Sequence, residues 1–277
     1  MYDTEAFRSA IRRRLFAWYR RSARDLPWRR TRDPYAVLVS EVMLQQTQVS
    51  RVIEAYARFL RRFPTLRALA RASLGDVLRA WSGLGYNRRA RDLHAIARLH
   101  PQSLPEAIED LDALPGVGAY TAGAVACFAH GVAVAFADTN VRRVLGRAIL
   151  GRAATEREAV AIDMRLMPRR RAAQWHHALM DVGAIFCRSR EPRCAACPLR
   201  PVCRYRGAAE PHPPRQSSFA ASDRRIRGAI VRALTITPHT VAELRRLIGD
   251  PRVPHLVAAL ADERIVETFG HRVRLPE

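Results

Sequence analysis

Four of the five cysteines fall in one short run, Cys187-x6-Cys194-x2-Cys197-x5-Cys203, and no other feature constrains the fold as much. Thiols this close either pair as disulfides or converge on a metal. The chain opens on scattered charges and Arg12-Arg13-Arg14, with no apolar leader, so a reducing interior is expected and the metal reading is preferred. Zinc and an iron–sulfur cluster both accept four thiolates. Structural zinc sites usually pair two C-x2-C knuckles, and this run has one. The spacing therefore favours a [4Fe–4S] cluster over zinc, and over four unliganded thiols. Cys127 stands alone in an apolar helix and reads as core.

The charge points to the partner. Over 277 residues the formal net charge is +21, and every one of the 47 Lys/Arg positions is arginine. An excess of this size points to a polyanionic partner, nucleic acid before any other, rather than to generic solubility. A guanidinium stays protonated at working pH, so no side chain here can act as an amine nucleophile; only the Met1 amine remains. The loop between Cys187 and Cys194 carries Arg188, Arg190 and Arg193. A metal-pinned loop presenting guanidinium groups suits phosphate contact, with a merely solvated loop as the alternative. The longest apolar stretch, Ala124 to Ala137, is interrupted by His130 and falls short of the roughly 18 residues of a membrane span. A soluble, intracellular protein is expected, with no membrane partner.

Helical periodicity runs to about residue 205. The pattern predicts helices at 4–21, two apolar helices between Tyr35 and Phe63 meeting near Gln45–Gln48, and shorter ones at 65–72, 74–81, 87–99, 104–113, 118–129, 140–150, 156–167 and 174–186. No alternating strands interrupt them, so the body reads as all-α. Residues 207–222 are proline-rich without periodicity and read as a linker. Beyond it, helices at 223–234, 241–248 and 253–262 precede strands at 265–269 and 272–275 around Gly270-His271. Three helices closed by a hairpin form a winged-helix pattern, a small α+β unit used both for DNA and for protein contacts.

Two further features carry chemistry. In Leu114-Pro115-Gly116-Val117-Gly118-Ala119-Tyr120, Gly116 and Gly118 permit positive φ and close approach, so amides at the next helix start can face a phosphate. Among the carboxylates, Glu41 sits inside the apolar segment Tyr35–Leu44, where a charge is expensive unless partnered. Asp138 precedes the helix containing Val141 and Leu145 and can serve simply as its N-cap. Desolvation favours a protonated Glu41, whereas a helix N-terminus and nearby arginines favour an ionised Asp138. One acid and one anion is the division of labour used in glycosidic bond cleavage.

Taken in order, Leu26-Pro27-Trp28-Arg29, Ser40-Glu41-Val42-Met43-Leu44-Gln45-Gln46-Thr47, Gly83-Leu84-Gly85-Tyr86, the Gly116–Gly118 hairpin, Asp138-Thr139-Asn140-Val141 and the four cysteines resemble the helix-hairpin-helix DNA glycosylases. Within that superfamily the chain most resembles the adenine glycosylases of the MutY branch, over about residues 5–205. The resemblance implies a two-lobed fold: an iron–sulfur domain from 1–22 and 134–206, a six-helix domain from 23–133, then the linker and a winged-helix-like domain at 223–277. It implies a [4Fe–4S] cluster on Cys187, Cys194, Cys197 and Cys203, and base excision repair of double-stranded DNA carrying an A·8-oxoG or A·G mispair. By the same match Glu41 protonates adenine at N7. Asp138, held by Asn140, stabilises the oxocarbenium-like sugar, a transient covalent adduct being one route. Gln46 and Tyr86 wedge into the duplex, and Trp28 and Arg29 line the base pocket. A cytoplasmic, nucleoid-associated monomer is expected.

Tyr120 distinguishes close relatives. In the endonuclease III branch this position is a lysine that attacks the sugar, so a monofunctional glycosylase leaving an abasic site is expected. Tyrosine there also occurs in enzymes removing thymine from G·T mismatches, which keeps a thymine glycosylase as an alternative. A redox-sensing iron–sulfur winged-helix regulator is a third reading, against which the Glu41 and Asp138 pair counts. The Nudix-like domain of longer relatives has no counterpart here. His177 stands where relatives carry Gln or Glu in the adenine pocket, and Thr139 replaces a common glycine.

Overall fold

The computed structural model describes residues 4–207, 210 and 218–277. Helix α1 (Glu5–Ser22) begins where the Thr4 hydroxyl accepts from the Phe7 amide, and it turns Ile11, Leu15 and Phe16 inward. A 3-10 turn at Pro27–Arg29 buries Trp28. Helix α2 (Pro34–Leu44) is buried continuously from Tyr35 to Met43, as a helix apolar on all sides must be. The chain breaks at Gln45–Gln48, as the pattern predicts, and resumes in α3 (Val49–Arg62). Thr65 and Ser73 cap α4 (Leu66–Arg71) and α5 (Leu74–Ala80), and α6 (Arg88–Leu99) follows.

Helix α7 (Ile108–Asp112) is shorter than the expected span of 104–113. Leu104 precedes Pro105, which disfavours the helical region for the residue before it, so the helix does not begin at 104; nothing in the structure accounts for the further delay to Ile108. The glycine hairpin leads into α8 (Ala119–Phe128). Helix α9 (Thr139–Leu150) ends on Gly151 at φ 75°, and a Thr155–Glu158 capping box opens α10 (Glu156–Leu166). Helix α11 (Ala172–Ile185) then runs into the cysteine loop.

The C-terminal segment folds as its pattern predicts. Helices α12 (Asp223–Leu234), α13 (Val241–Ile248) and α14 (Val253–Asp262) precede strands β1 (Glu267–Phe269) and β2 (Arg272–Arg274). The strands are antiparallel, with Thr268 opposite Val273 and Gly270 at φ 59° in the turn. Of the expected linker, residues 208–209 and 211–217 lie outside the described residues; a 3-10 turn at Phe219–Ala221 leads into α12.

The chain forms two units. The first comprises Met1–Pro34, Glu106–Asp112 and Val117–Pro214; the second comprises Tyr35–Pro105, Ala113–Gly116 and Arg215–Glu277. In the first, Ile11, Leu15, Val141, Leu145, Trp175 and Leu179 make the core, each fully buried. Each such side chain contributes about 1.5–3 kcal/mol by leaving water. In the second, Phe59 meets Trp81 edge-on at 5.8 Å beside buried Leu38, Leu93 and Ile96.

The winged-helix segment belongs to that second unit by direct contact. The Gly75 amide donates to the Pro276 carbonyl at 2.7 Å, and Arg91 donates to the Glu263 carbonyl at 2.6 Å. Position 75 must be glycine for this approach, since a Cβ there would lie 2.7 Å from the Pro276 oxygen. Among the described residues no helix is long and apolar enough to cross a membrane.

Candidate functional site

Asp138 is the N-cap of α9, as its position allowed, and it is also gripped from a second side. One carboxylate oxygen accepts from the Val141 amide at 2.7 Å; the other accepts from Asn140 Nδ2 at 2.8 Å. Asn140 in turn accepts from Arg143 at 2.8 Å, and Arg143 also donates to the carbonyls of Gly183 and Cys187. Asn140 fits only because residue 183 of α11 lacks a side chain: a Cβ there would lie 2.5 Å from the Asn140 Cβ. Gly183 and Arg143 position Asn140, and the sequence pattern singled out neither. A glycine inside a helix, here in the last turn of α11, was the available signal for the first.

All four cysteines of the run line one small cavity together with Arg147, Phe186 and Tyr205. Arg147 is almost fully buried; it donates to the Arg188 carbonyl at 2.8 Å, approaches the Cys187 sulfur at 3.6 Å and pairs with Glu210 at 2.6 Å. Among the described residues, no three Cys, His, Asp or Glu side chains gather tightly enough to hold a single metal ion. Four sulfurs around one cavity are a donor set that zinc and an iron–sulfur cluster both accept. Burial pushes the Cys197 thiol up to about 11, and a bound cation would supply the charge that burial withholds. In the intervening loop Arg190 is exposed, whereas Arg188 is half-buried and folds back onto the Glu191 carbonyl at 3.0 Å. Arg190 and Arg193 are exposed, and the Arg188 side chain is 39% exposed beside them.

Trp28 is buried and Arg29 half-buried, and Arg29 is committed. It forms a bidentate pair with the fully buried Asp181, both contacts at 2.8 Å, which Arg24 also joins. Burial alone would raise the Asp181 carboxyl, but the Arg29 hydrogen bonds and charge outweigh it and hold it low. Arg29 also reaches the His177 carbonyl at 3.5 Å. The His177 ring stacks on Phe128 at 4.2 Å, and burial followed by the Arg29 charge pushes it down to about 3, so it is neutral at physiological pH. Tyr120, the second residue of α8, packs edge-on against Phe136 at 5.6 Å. Behind it, His176 and Trp175 both bond the buried Asp163, at 2.8 and 2.6 Å.

Glu41 lies in α2 with 6% of its surface exposed. The end of its helix is tied down by Arg89, another residue the sequence did not single out. The Arg89 guanidinium, buried between Trp81 and Tyr86, donates to the carbonyls of Val42, Met43 and Gln45 at 2.8, 2.9 and 2.6 Å, and to those of Leu84 and Gly85. Burial lowers its pKa to about 10, which leaves it charged at neutral pH. The two loops it joins carry the expected wedges. Gln46 and Tyr86 are exposed, hold left-handed backbones (φ 54° and 48°) and line one groove of about 750 Å³.

Of the hairpin glycines, Gly116 takes φ 70°, and a Cβ there would lie 2.9 Å from an Asp92 oxygen. Gly118 departs from expectation: at φ −128° it is ordinary extended backbone capping α8, open to any residue. Gly116 and Glu41 belong to the second unit, and Asp138, Asn140, Tyr120 and the cysteines to the first.

Residues 39–169 match the model of the HhH-GPD superfamily of base excision DNA repair proteins. The chain is 45% identical to the adenine DNA glycosylase of Mycobacterium tuberculosis (strain ATCC 25618 / H37Rv) over 281 residues, 95% of this chain and 92% of the relative. Among solved structures it is similar to a thermostable thymine-DNA glycosylase (TM-score 0.66, 28% identity, 72% of this chain and 95% of that one). It is also similar to endonuclease III in a non-covalent DNA complex (TM-score 0.61, 25% identity, 71% and 95%).

Proposed function

Since the chain belongs to the adenine DNA glycosylase family, within the HhH-GPD superfamily, we propose that it excises adenine mispaired with 8-oxoguanine or guanine and leaves an abasic site. The observation that carries the chemistry is the Asp138 carboxylate, fixed by the Val141 amide and Asn140 at the start of α9. Identity to an adenine enzyme over nearly the whole chain outweighs the lower likeness to a thymine enzyme. A regulator would have no use for an oriented carboxylate backed by a glycine.

In this reading the adenine is flipped out of the stack, at a cost of a few kcal/mol. The Glu41 carboxyl gives its proton to N7, and the C1′–N9 bond breaks with its electron pair passing to the purine. Asp138 faces the positive charge that grows on C1′. Water then adds to C1′ and loses its proton to solvent, from which Glu41 is reprotonated. A buried acid and an oriented anion divide the work as in other glycosidic cleavages.

Cys187, Cys194, Cys197 and Cys203 would hold a [4Fe–4S] cluster, supported by their shared cavity and by the buried Arg147 beside it. With a cluster bound, these four thiolates would be cross-linked through its iron, which would fix the loop bearing Arg190. Strand cleavage is not expected, because Tyr120 has no amine and the chain has no lysine.

The test is a set of duplexes carrying A·8-oxoG, A·G or T·G, incubated with the protein and developed with and without hot alkali. Alkali-dependent breaks at the adenine duplexes are expected. Breaks only at T·G would overturn the substrate, no breaks at all the enzymatic reading, and breaks without alkali the monofunctional one.

A further inference from the structure

The groove that holds Gln46 and Tyr86 has a second wall, and that wall is α12 of the winged-helix segment. Arg224, Gly228 and Arg232 line it at intervals of four residues, which places them along one stripe of the helix. Arg224 donates to the Tyr86 hydroxyl at 3.2 Å, joining this stripe to the wedge loop. On the opposite wall Arg51 is exposed, as Arg232 is on this one. The groove has one carboxylate, Glu263, and it is neutralised by Arg88 at 2.9 Å and Arg227 at 2.5 Å. The net field inside is strongly positive.

Gly228 adds an independent observation. It occupies the middle of α12, where glycine costs about 1 kcal/mol relative to alanine. No internal contact requires it, since a Cβ at 228 would meet nothing within 4 Å. Its φ is helical, so no turn requires it either. A bare backbone between two arginines leaves room for something outside the chain to come close.

We infer that α12 grips the sugar-phosphate backbone of the duplex at the point where Gln46 and Tyr86 enter it, the backbone passing over Gly228 between Arg224 and Arg232. At 1.5 Å per residue the stripe spans about 12 Å. That is the axial rise of about three phosphates of one strand at 3.4 Å each. The winged-helix segment thereby does its part through charge and close approach, without base readout. This inference rests on duplex DNA being the substrate.

The test compares the full-length wild type with Gly228→Leu and Arg232→Ala, measuring Kd for an A·8-oxoG duplex across a salt series and thermal stability for each. Gly228→Leu replaces a poor helix former with a good one in open space, so its Tm should hold or rise while its DNA affinity falls several-fold. Arg232→Ala should reduce the slope of log Kd against log salt by about 0.9, the signature of one lost phosphate contact. If both variants match the wild type in Kd and slope while the wild type still releases adenine, the α12 grip is wrong and the glycosylase reading stands. If the wild type releases no adenine from that duplex, it is the glycosylase reading that fails.

Discussion

The Asn140 amide holds the Asp138 carboxylate at 2.8 Å, and it does so from a position that only a glycine at 183 leaves open. Gly183→Ala should therefore push Asn140 aside and release one carboxylate oxygen. Overpacking of this kind costs about 1–3 kcal/mol in stability. Base release should fall further than stability does, and single-turnover kinetics beside a denaturation curve will separate the two. Full activity in Gly183→Ala would remove Asn140 from its holding role.

Glu41→Gln retains the shape of the buried side chain and removes its acidic proton. Base release should drop by about 10²–10⁴-fold, the range of a lost general acid. Affinity for an A·8-oxoG duplex, read by fluorescence anisotropy, should be kept. Equal turnover in the variant would take Glu41 out of the mechanism.

His177 gives the fold an acid-sensitive element. Its imidazole is held at about 3 against an ordinary 6.5, chiefly by burial. As pH drops through 6.5 the unfolded chain takes up a proton that the folded chain refuses until about 3. Stability from this group is complete above the upper value and is lost progressively across that window. His177→Gln has no such proton to gain, so the Tm difference between neutral and acidic buffer should narrow relative to wild type. An unchanged difference would mean that the ring is charged in the fold.

The cysteine cavity is tested by metal content. Protein purified without oxygen should be brown and carry about four iron and four sulfide per chain, as a [4Fe–4S] cluster requires. Cys194→Ala should lose the colour. A colourless protein containing zinc would refute the cluster.

Arg89→Met keeps the bulk of the buried stem and removes its donors. Several carbonyls would be stranded, each costing about 1–3 kcal/mol where no water reaches them. A clear drop in the denaturant midpoint is expected, together with weaker duplex binding, because both wedge loops lose their common anchor. Wild-type binding by a stable variant would show that the loops hold their shape without it.

Much of this molecule was readable in its sequence because local rules govern the relevant parts. Thr65, Ser73 and Thr155 announce helix starts, and the α12–α14 boundaries follow from apolar spacing and Thr240. Asp138 was visible because N-capping is a matter of three residues. Arg89, Asp181 and Gly183 were not, for one reason: their roles are set by partners distant in the chain. Nothing local distinguishes Arg89, whose partners at Val42 and Met43 lie 47 and 46 residues away, from the exposed Arg88 beside it. The proline at 105 is a local reason why Leu104 lies outside α7. The groove wall of α12 also lay beyond sequence, since it requires residues near 46, 86 and 228 to meet.

Because one guanidinium ties the backbones beside both Gln46 and Tyr86, the two loop tips are a single mechanical part. On the proposed reading, the shape that would enter the double helix is set before DNA arrives, and its left-handed backbones are already held in the folded chain. Neither tip can be retuned alone: a change that shifts one loop will pull on the other through Arg89, so variants at 46 and 86 should behave non-additively.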